Sequence, residues 1–455
     1  MIVRVSLGLL CVVLVACGGG SNVTSSSSRL TTPQVSTPIS LDWTQYHGNA
    51  GRSGAGPSEP AMTSPRVAWK SGVDGEVYAS PLIIAGHVIV ATENNTVYSL
   101  DVFTGSTIWQ RHLGDPVDAS SLPCGNIRPV TGITGTPAAD IASGRVYAVA
   151  FLRGYHHVLF ALSLTDGSVV WQQTVDPAGS DARVQQLRGG LAIGSGSVYV
   201  PFGGLFGDCG SYHGYVVRVP LGGGPGVAYR VSGATGVGVW SPQGPTIAPD
   251  GSVYVATGNA TSGASAFAYS NSVLQLSPDL RSLRSYFAPS NWAALDAGDV
   301  DLGSTGVAVL PALARVFVIG KDGIGYLLQA GRLGGVGGQV ASRRICSGAW
   351  GGTAWLGSMV YVPCIDGLYA VSVSESSLQV AWHAARPELA PAMTAAGAVW
   401  ALEASSGTLY AFEPATGKTL FTARVNAANR YSTPAATEGF VVTPSGRSVT
   451  AVAVV

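Results

Sequence analysis

Charged side chains are scarce in this chain: they make up 11% of its 455 residues, and the formal net charge is zero. Lysine and arginine form no cluster, and a protein needs a basic patch to neutralise the phosphates of a nucleic acid. We therefore expect no nucleic-acid partner. The 46% hydrophobic content, in contrast, is enough for a large buried core and argues against a disordered chain or a coiled coil.

The apolar run at the N-terminus, residues 5–16, is too short to span a bilayer. It follows Arg4 and is interrupted only by Ser6, a pattern that is typical of a signal-peptide core. Its end, Leu-Val-Ala-Cys17, resembles the lipidation box of bacterial lipoproteins, which implies that Cys17 carries the lipid. The alternative is an ordinary cleaved signal peptide that contains a cysteine.

The next segment has too little apolar surface to fold, because residues 18–40 are rich in Gly, Ser and Thr with scattered Pro. We therefore predict a lipoprotein signal peptide at 1–16, a lipid-anchored flexible linker at 17–41 and a folded body at 42–455. The expected location is the cell envelope, where the lipid on Cys17 contacts a membrane. This is the periplasmic face of an outer membrane, or the outer face of the cell membrane in a host with a single membrane.

A turn followed by a valine-centred strand recurs eight times in the folded body, as in GSVYVPF at Gly196 and GSVYVAT at Gly251. Four short antiparallel strands with their turns use about 40–50 residues, which is the repeat length of a β-propeller blade. The pattern therefore predicts an all-β propeller of eight blades, or of seven if one copy is decorative. The central valines, 39 to 63 residues apart, are Val88, Val146, Val198, Val253, Val316, Val360, Val399 and Val441.

Several repeats end in a hairpin turn followed by an aromatic residue, as in SLDVFTGSTIW, which ends at Trp109. This pattern resembles the tryptophan-docking motif of the pyrroloquinoline-quinone-like (PQQ-like) propeller family, although PLGGGPG replaces it in the third blade. The resemblance covers residues 42–455 and implies an eight-bladed propeller like that of quinoprotein alcohol dehydrogenases. It also implies that indoles pack between adjacent blades; the candidates are Trp69, Trp109, Trp171 and Trp382.

The two ends of the folded body complement each other. Residues 431–455 supply three strands without an aromatic outer strand, and residues 66–69 supply an outer strand without inner partners. Joining them closes the ring and removes open sheet edges.

Cysteine is rare, and four of the six lie in the folded body: Cys124, Cys209, Cys346 and Cys364. An even number in an exported chain predicts disulfides, and three pairings are possible. We favour Cys124 with Cys209, between loops of neighbouring blades, and Cys346 with Cys364, within one blade. Free thiols or a metal site are the alternative, although no CxxC spacing supports a metal.

The family resemblance directs attention to the central funnel, where quinoprotein dehydrogenases hold a quinone and a calcium ion. Asn259 resembles a calcium-ligand asparagine of that family, and Lys321 resembles its quinone-contacting lysine. The vicinal cysteine pair of the family is absent, because Gly125 follows Cys124, and residues 209–214 lack its acidic calcium ligand. We therefore expect neither PQQ nor calcium, and no metal.

Polar residues elsewhere supply further funnel candidates. Asp299 and Asp301 alternate along an extended stretch, so both carboxylates face one side. The pair either binds a cation or acts in acid–base chemistry, or it accepts hydrogen bonds from the backbone amides of a turn. Tyr212 and His213 either line the funnel or cap a loop against Asp208. A separate list of possible stacking platforms, which could equally be blade-core aromatics, contains Trp240, Trp292 and Trp350.

These residues form no complete catalytic set, so we expect no catalytic activity. The chain is similar to the propeller lipoproteins that assist β-barrel assembly in outer membranes, which implies a non-catalytic binding or scaffolding platform. Envelope proteins or glycans are the expected partners, and the protein is a monomer or part of a complex. The alternatives are a PQQ-dependent quinoprotein dehydrogenase and a carbohydrate-active or glycan-binding propeller that uses the funnel.

Overall fold

The computed structural model describes residues 42–261 and 266–455, and in this part of the chain eight sheets of four or five strands, antiparallel except for one parallel pair in one sheet, each form one blade. The predicted eight-bladed propeller is confirmed, so all eight strand repeats belong to blades. The predicted signal peptide at 1–16, the lipid site at Cys17 and the linker at 17–41 lie outside the described residues.

Strands in the first half of the folded body are three to eight residues long, apart from a few two-residue pairings. They are β1 (Arg66–Gly72), β2 (Leu82–Ile84), β3 (His87–Ala91), β4 (Thr96–Asp101), β5 (Thr107–His112), β6 (Val117–Asp118), β7 (Val130–Thr131), β8 (Ala138–Asp140), β9 (Arg145–Leu152), β10 (His156–Ser163), β11 (Val169–Thr174), β12 (Gln185–Gln186), β13 (Ala192–Gly194), β14 (Ser197–Gly204), β15 (Tyr215–Pro220), β16 (Val227–Arg230), β17 (Thr246–Ile247) and β18 (Val253–Ala256).

The second half continues the pattern and contains one short helix, α1 (Trp292–Ala297). Single 3-10 turns cover Ala119–Ser121, Leu302–Ser304 and Pro311–Leu313. The strands are β19 (Val273–Leu276), β20 (Leu283–Ala288), β21 (Ala308–Leu310), β22 (Arg315–Ile319), β23 (Ile324–Gln329), β24 (Gly335–Val336), β25 (Ala341–Arg344), β26 (Ala354–Leu356), β27 (Met359–Cys364), β28 (Gly367–Val373), β29 (Leu378–Ala384), β30 (Met393–Ala395), β31 (Ala398–Glu403), β32 (Thr408–Phe412), β33 (Thr419–Arg424), β34 (Ala435–Thr437), β35 (Phe440–Pro444) and β36 (Ser448–Ala453).

Each blade is a meander that begins with a short first strand. Blades one to seven are β2–β5, β8–β11, β12–β16, β17–β20 with β24, β21–β23 with β25, β26–β29 and β30–β33. The eighth blade joins β34–β36 to β1, whose register pairs Arg66 with Ala453 and Gly72 with Ser448. The predicted ring closure between the two ends of the folded body is therefore confirmed.

The second strands of the blades are buried on both faces, because each blade packs against its two neighbours. This explains why the repeat reads as runs of valine instead of alternating apolar and polar residues. One apolar cluster joins blades one and two through Ile89 and Val146, and another joins blades two and three through Val149 and Val200.

The four candidate docking tryptophans each contact the turn of the next blade. Trp69 Nε1 donates a hydrogen bond to the carbonyl of Val102 at 2.8 Å, and its ring lies against Gly105, where a Cβ would come within 2.6 Å. Only glycine leaves room for the ring there, and its φ of +71° also favours glycine. The other three indoles donate in the same way: Trp109 to Leu164, Trp171 to Leu221 and Trp382 to Pro414.

A β-bulge precedes the aromatic residue in several outer strands. In the first blade Trp109 pairs with Ser99 and Thr107 pairs with Leu100, so Ile108 between them has no partner. The extra residue turns the following indole towards the next blade and leaves its own side chain in solvent. This accounts for the equal exposure, 47%, of the bulged residues Ile108, Val170 and Leu420.

The segment 42–57, which we call the plug, lies inside the ring and contacts the first strands of several blades. Trp43 exchanges two backbone hydrogen bonds with Ile83 of β2, and the carbonyl of Ala50 accepts from Ile247 of β17. Ser53 and Gly54 bond in the same way to β26 and β30. These bonds cross the axis of the propeller, so the plug ties together blades that are not neighbours.

Both predicted disulfides are present. Cys124, in the connection between blades one and two, bonds Cys209, in the β14–β15 loop of blade three. Cys346 bonds Cys364, but the prediction that this bridge stays within one blade is wrong: Cys346 follows β25 of blade five, and Cys364 ends β27 of blade six. A spacing of 18 residues is short enough for one blade, but a blade boundary falls inside it.

Among the described residues, we find no helix of the length and apolar character that crossing a membrane requires. The helix α1 has only six residues and follows β20 of blade four along the chain. Its first residue, Trp292, packs edge to face on Phe267, with ring centroids 5.3 Å apart.

Candidate functional site

A cavity of about 400 Å³ opens at one end of the propeller axis, and a second pocket of about 230 Å³ adjoins it. We call these two together the funnel, since they share Arg188, Trp240 and Arg430. Tyr46 of the plug also lines the larger cavity, so the plug closes the channel beneath the funnel. Pockets of 300–1,000 Å³ are typical of sites for small molecules.

The funnel wall is built largely from the segments just before the first strand of each blade. Thr136 precedes β8, Arg188 precedes β13, Pro242 precedes β17 and Tyr431 precedes β34. First strands lie nearest the axis, so the residues that lead into them converge there. Both disulfides support this end: Cys124 is near the lining residue Asn126, and Cys209 follows the lining residue Asp208.

Four of the six predicted funnel residues, Asn259, Asp299, Asp301 and Lys321, line the smaller pocket together. Lys321 Nζ lies 2.5 Å from Asp301 Oδ2 and 3.3 Å from Asp299 Oδ1. The backbone amide of Asn259 donates to Asp301 Oδ1 at 2.6 Å. Lys321 and Asn259 therefore engage both oxygens of the Asp301 carboxylate.

The two aspartates point to the same ammonium but differ in burial: the Asp301 side chain is 4% exposed and that of Asp299 is 66% exposed. Burial raises the pKa of the Asp301 carboxyl, and the Lys321 ammonium opposes this effect. Burial alone lowers the pKa of Lys321, but Asp301 and Asp299 outweigh it, so that the pKa is raised and the lysine stays charged. The result is a buried ion pair with one further, solvent-facing carboxylate.

The other two predicted funnel residues serve the loops around it. Tyr212 is buried and does not line the cavity; its hydroxyl donates to Asp208 Oδ1 at 2.5 Å, which fits the alternative of a loop cap. His213 is not among the residues that line the two pockets: its Nδ1 contacts the carbonyl of Ala234 at 2.7 Å, and its Nε2 contacts Arg230 of the outer strand β16. His213 follows Tyr212 in the chain, but its contacts direct it towards the edge of blade three.

Two of the three tryptophans singled out from the sequence, Trp240 and Trp350, lie in the funnel wall. Cations lie over their rings: Arg188 is 5.0 Å from the Trp240 ring centroid, Lys321 is 5.7 Å from it, and Arg430 is 5.8 Å from that of Trp350. Such contacts stabilise a cation against an aromatic face. Trp292 belongs to the aromatic cluster of α1 and not to the funnel.

Arg188 differs from the other charged groups of the funnel because, within the described residues, its guanidinium has neither an ion-pair nor a hydrogen-bond partner. Its Nε is buried without an acceptor. Burial lowers the pKa of Arg188, although the more distant Asp208 and Asp301 carboxylates act in the opposite direction. A guanidinium carries five N–H donors, and that of Arg188 belongs to a residue that lines both pockets of the funnel.

The residues of the smaller pocket do not match the ligands that a calcium ion with a bound quinone needs. A calcium ion takes six to eight oxygen ligands. In the described part of the pocket the Asp301 oxygens are already bonded, and the positive charges of Lys321 and Arg188 stand where a dication would need negative charge. A calcium-bound quinone does not fit this residue set.

A buried carboxyl group lies behind the funnel wall. Glu93 is 2% exposed, and its Oε2 accepts from the backbone amide of Gly132 at 2.7 Å, while Oε1 is buried without a partner. Burial raises the pKa of Glu93 to about 7. Burial, and then the nearby Glu93 and Glu76 carboxyl groups, raise the pKa of Tyr78, a lining residue, to about 12.

Sequence reasoning missed Arg188, Arg430 and Phe206, although a signal for two of them exists. Arg188 precedes Gly-Gly and Arg430 precedes Tyr-Ser-Thr-Pro, and both stretches lead into the small-residue first strand of a blade. Phe206 has no such signal, because it lies in the β14–β15 loop, where it is 58% exposed at the mouth of the funnel.

Comparison with known proteins gives a family and a fold. Residues 62–205 match the family profile of the outer membrane protein assembly factor BamB. No curated protein matches the chain in sequence. The matched region extends from before β1 into the β14–β15 loop and therefore covers the first blades.

Solved structures that share the fold include alcohol dehydrogenases and a BamB protein. Quinohemoprotein alcohol dehydrogenase ADHIIG from Pseudomonas putida HK5 superposes with a TM-score of 0.75 at 12% identity, covering 91% of this chain and 80% of that chain. The quinohemoprotein alcohol dehydrogenase from Comamonas testosteroni gives 0.70 at 15% identity, covering 91% and 81%. BamB from Moraxella catarrhalis gives 0.60 at 14% identity, covering 86% and 99%. At these identities the likeness shows the propeller fold alone.

Proposed function

We propose that this chain, which shares the repeats of the PQQ-like β-propeller family over residues 62–205, is a non-catalytic binding platform of the cell envelope. In this proposal Cys17 carries the lipid that holds it at a membrane, and the propeller presents its funnel and loops to partners. A role in outer-membrane protein assembly is supported by the match of residues 62–205 to the BamB profile.

The proposal that the protein is not a catalyst rests on one observation, the partners of the two Asp301 carboxylate oxygens. A general base must have an oxygen within reach of the proton that it removes. Both Asp301 oxygens are engaged, one by Lys321 and the other by the Asn259 amide. Asp301 and Asp299 also share one ammonium, whereas the paired carboxylates of glycoside hydrolases flank the bond that they cleave.

The test uses the full chain, extracted from membranes in detergent, and the Asp301→Asn variant. Alcohol-dependent dye reduction is measured after addition of calcium and PQQ. We expect no turnover by either protein above a sample without cofactors. Turnover that requires calcium and PQQ and is lost in Asp301→Asn would refute the non-catalytic proposal and establish a quinoprotein dehydrogenase.

Cell fractionation with the same expression system tests the anchor. We expect the wild type in the membrane pellet and Cys17→Ser in the soluble fraction, while Cys11→Ser, inside the apolar run, serves as the matched cysteine control. Cys17→Ser that remains entirely in the pellet would contradict lipid anchoring.

A further inference from the structure

The charges in the funnel wall do not balance locally, and this imbalance identifies a class of ligand. Lys321 is neutralised by Asp301 and Asp299, and the Asp208 carboxylate accepts the Tyr212 hydroxyl. Within the described residues, Arg188 and Arg430 have no carboxylate within ion-pairing distance. Two guanidinium groups therefore remain as unpaired positive charge on the wall of one cavity.

We propose that the funnel binds an organic oxyanion, a carboxylate or phosphate ester on a ring-sized body, through Arg188 and Arg430 and without a metal ion. This inference rests on the proposed binding function and specifies its ligand. A guanidinium presents parallel N–H donors that match carboxylate and phosphate oxygens, and it stays charged when it is buried.

Arg188 has the greater need for a ligand of the two arginines, because a buried N–H donor without an acceptor costs free energy. A buried polar group without a partner loses the hydrogen bonds that it makes to water, and a charged group loses more. Among the described residues the buried Nε of Arg188 has no acceptor, and the guanidinium lies over the Trp240 ring, 5.0 Å from its centroid. A bound oxyanion would supply both the acceptors and the counter-charge.

The remaining lining of the larger cavity indicates what the oxyanion is attached to. The cavity of about 400 Å³ exceeds the needs of a bare inorganic ion. Aromatic faces of Trp240, Tyr78 and Tyr431 alternate with the polar side chains of Asn126, Thr136 and Asn429. This combination suits a sugar or an aromatic ring, which has a flat or apolar face and polar edges.

Isothermal titration calorimetry on the full chain in detergent tests the proposal with three probes that share a glucose body: glucuronate, glucose 6-phosphate and glucose. We expect at least one anionic probe to bind at least tenfold more tightly than glucose, in the presence of a chelator. Whichever anion binds more tightly distinguishes a carboxylate from a phosphate as the natural group. Binding of neither anion, or equal binding of glucose, would overturn the proposal.

Arg188→Gln and Arg430→Gln test the residues. We expect each to weaken binding of the anion at least tenfold. Arg430 is exposed, so its variant keeps the test valid if Arg188→Gln does not fold. Arg386→Gln is the matched control, because Arg386 also lies over an aromatic ring, 5.6 Å from Tyr410, but outside the funnel. Wild-type affinity in both Arg188→Gln and Arg430→Gln would overturn the assignment.

The outcomes separate this inference from the function on which it rests. Absence of anion binding, together with absence of cofactor-dependent turnover, would refute the oxyanion site and leave the binding platform standing. Calcium-dependent oxidation of alcohols would refute the platform itself, whatever the result with the sugars.

Discussion

Arg52 lies in the plug and Arg188 in the funnel wall, and the surroundings of these two arginines differ in kind. Arg52, in the plug, is fully buried and donates three hydrogen bonds, to the carbonyls of Pro245, Tyr46 and Leu191 at 2.8–3.1 Å. Arg188, three residues before Leu191, faces the funnel without any such acceptor. Arg52 is fully buried and Arg188 is half-buried, and among the described residues only Arg52 has hydrogen-bond acceptors for its guanidinium.

The difference indicates a division of labour along the axis. The three carbonyls that accept from Arg52 come from the plug itself and from the segments around β13 and β17, so Arg52 fastens the plug to two blades. A satisfied buried arginine is a structural fastener. An unsatisfied one in a cavity wall, in contrast, is suited to a ligand. The plug end therefore holds the ring together, and the funnel end is available for binding.

The largest effect that we expect at the plug end is acid sensitivity through His47. Burial, and then the Arg52 charge, lower the pKa of His47 to about 3. The histidine of the unfolded chain titrates near 6.5. The free energy of unfolding that depends on a neutral His47 is therefore fully present above about pH 6.5 and is lost as the pH falls towards 3. A difference of about 3.5 pKa units corresponds to about 5 kcal/mol.

The measurement is urea unfolding between pH 3 and 7 for the wild type and His47→Asn. Asparagine does not titrate and tolerates the φ of +55° at this position. We expect the acid loss in this window to be much smaller in the variant. Parallel pH profiles for the two proteins would show that His47 is not the cause.

Replacing each arginine by methionine compares how much the two guanidinium groups contribute to stability. Arg52→Met leaves three buried carbonyls without a donor, and at roughly 1–3 kcal/mol for each group we expect a loss of about 4 kcal/mol. Arg188→Met removes a guanidinium without partners, and we expect less than about 1 kcal/mol, of either sign. Unfolding midpoints and slopes at neutral pH provide the comparison. Equal losses in the two variants would remove the distinction between the two ends of the axis.

The third and smallest effect concerns Glu93 behind the funnel wall. Its pKa in the folded protein is about 7, above the value near 4.5 in the unfolded chain. Stability from this group is therefore fully present below about pH 4.5 and is lost as the pH rises through 7, by about 3 kcal/mol. This direction is opposite to that of His47.

Glu93→Gln keeps the shape of the side chain and removes the titration. In unfolding experiments between pH 4.5 and 8, we expect the decline of stability with rising pH to be weaker in the variant. The wild type and the variant declining equally would contradict the assignment of this slope to Glu93.

Much of the fold was predictable because it depends on local patterns. Turn glycines and valine runs recur with each blade, and hydrogen bonding and strand geometry turn that repeat into four-stranded sheets. The closure of the ring was also predictable, because residues 66–69 and 431–455 each lack what the other supplies. The tryptophan turns were visible because indole, hairpin and glycine lie within about ten residues of one another.

Prediction failed where the answer depends on how blades meet. Nothing in the sequence around Cys346 marks the end of blade five, so a short bridge was assigned to the wrong side of a boundary. His213 was grouped with Tyr212 because they are adjacent in the chain, yet their contacts are with different parts of blade three. Asn259, Asp299, Asp301 and Lys321 were found individually, but their mutual neutralisation became visible only in three dimensions.

The sequence by itself determined an all-β ring of eight repeats and its closure, since these follow from strand periodicity, turn chemistry and complementary ends. The tertiary structure alone decided that residues 42–57 cross the ring as a plug, that Arg52 is satisfied and that Arg188 is not. The physical reason is that the axis is where segments far apart in the chain converge. Whether a buried charge finds a partner there is decided by contacts over a hundred residues or more, and no local pattern encodes them.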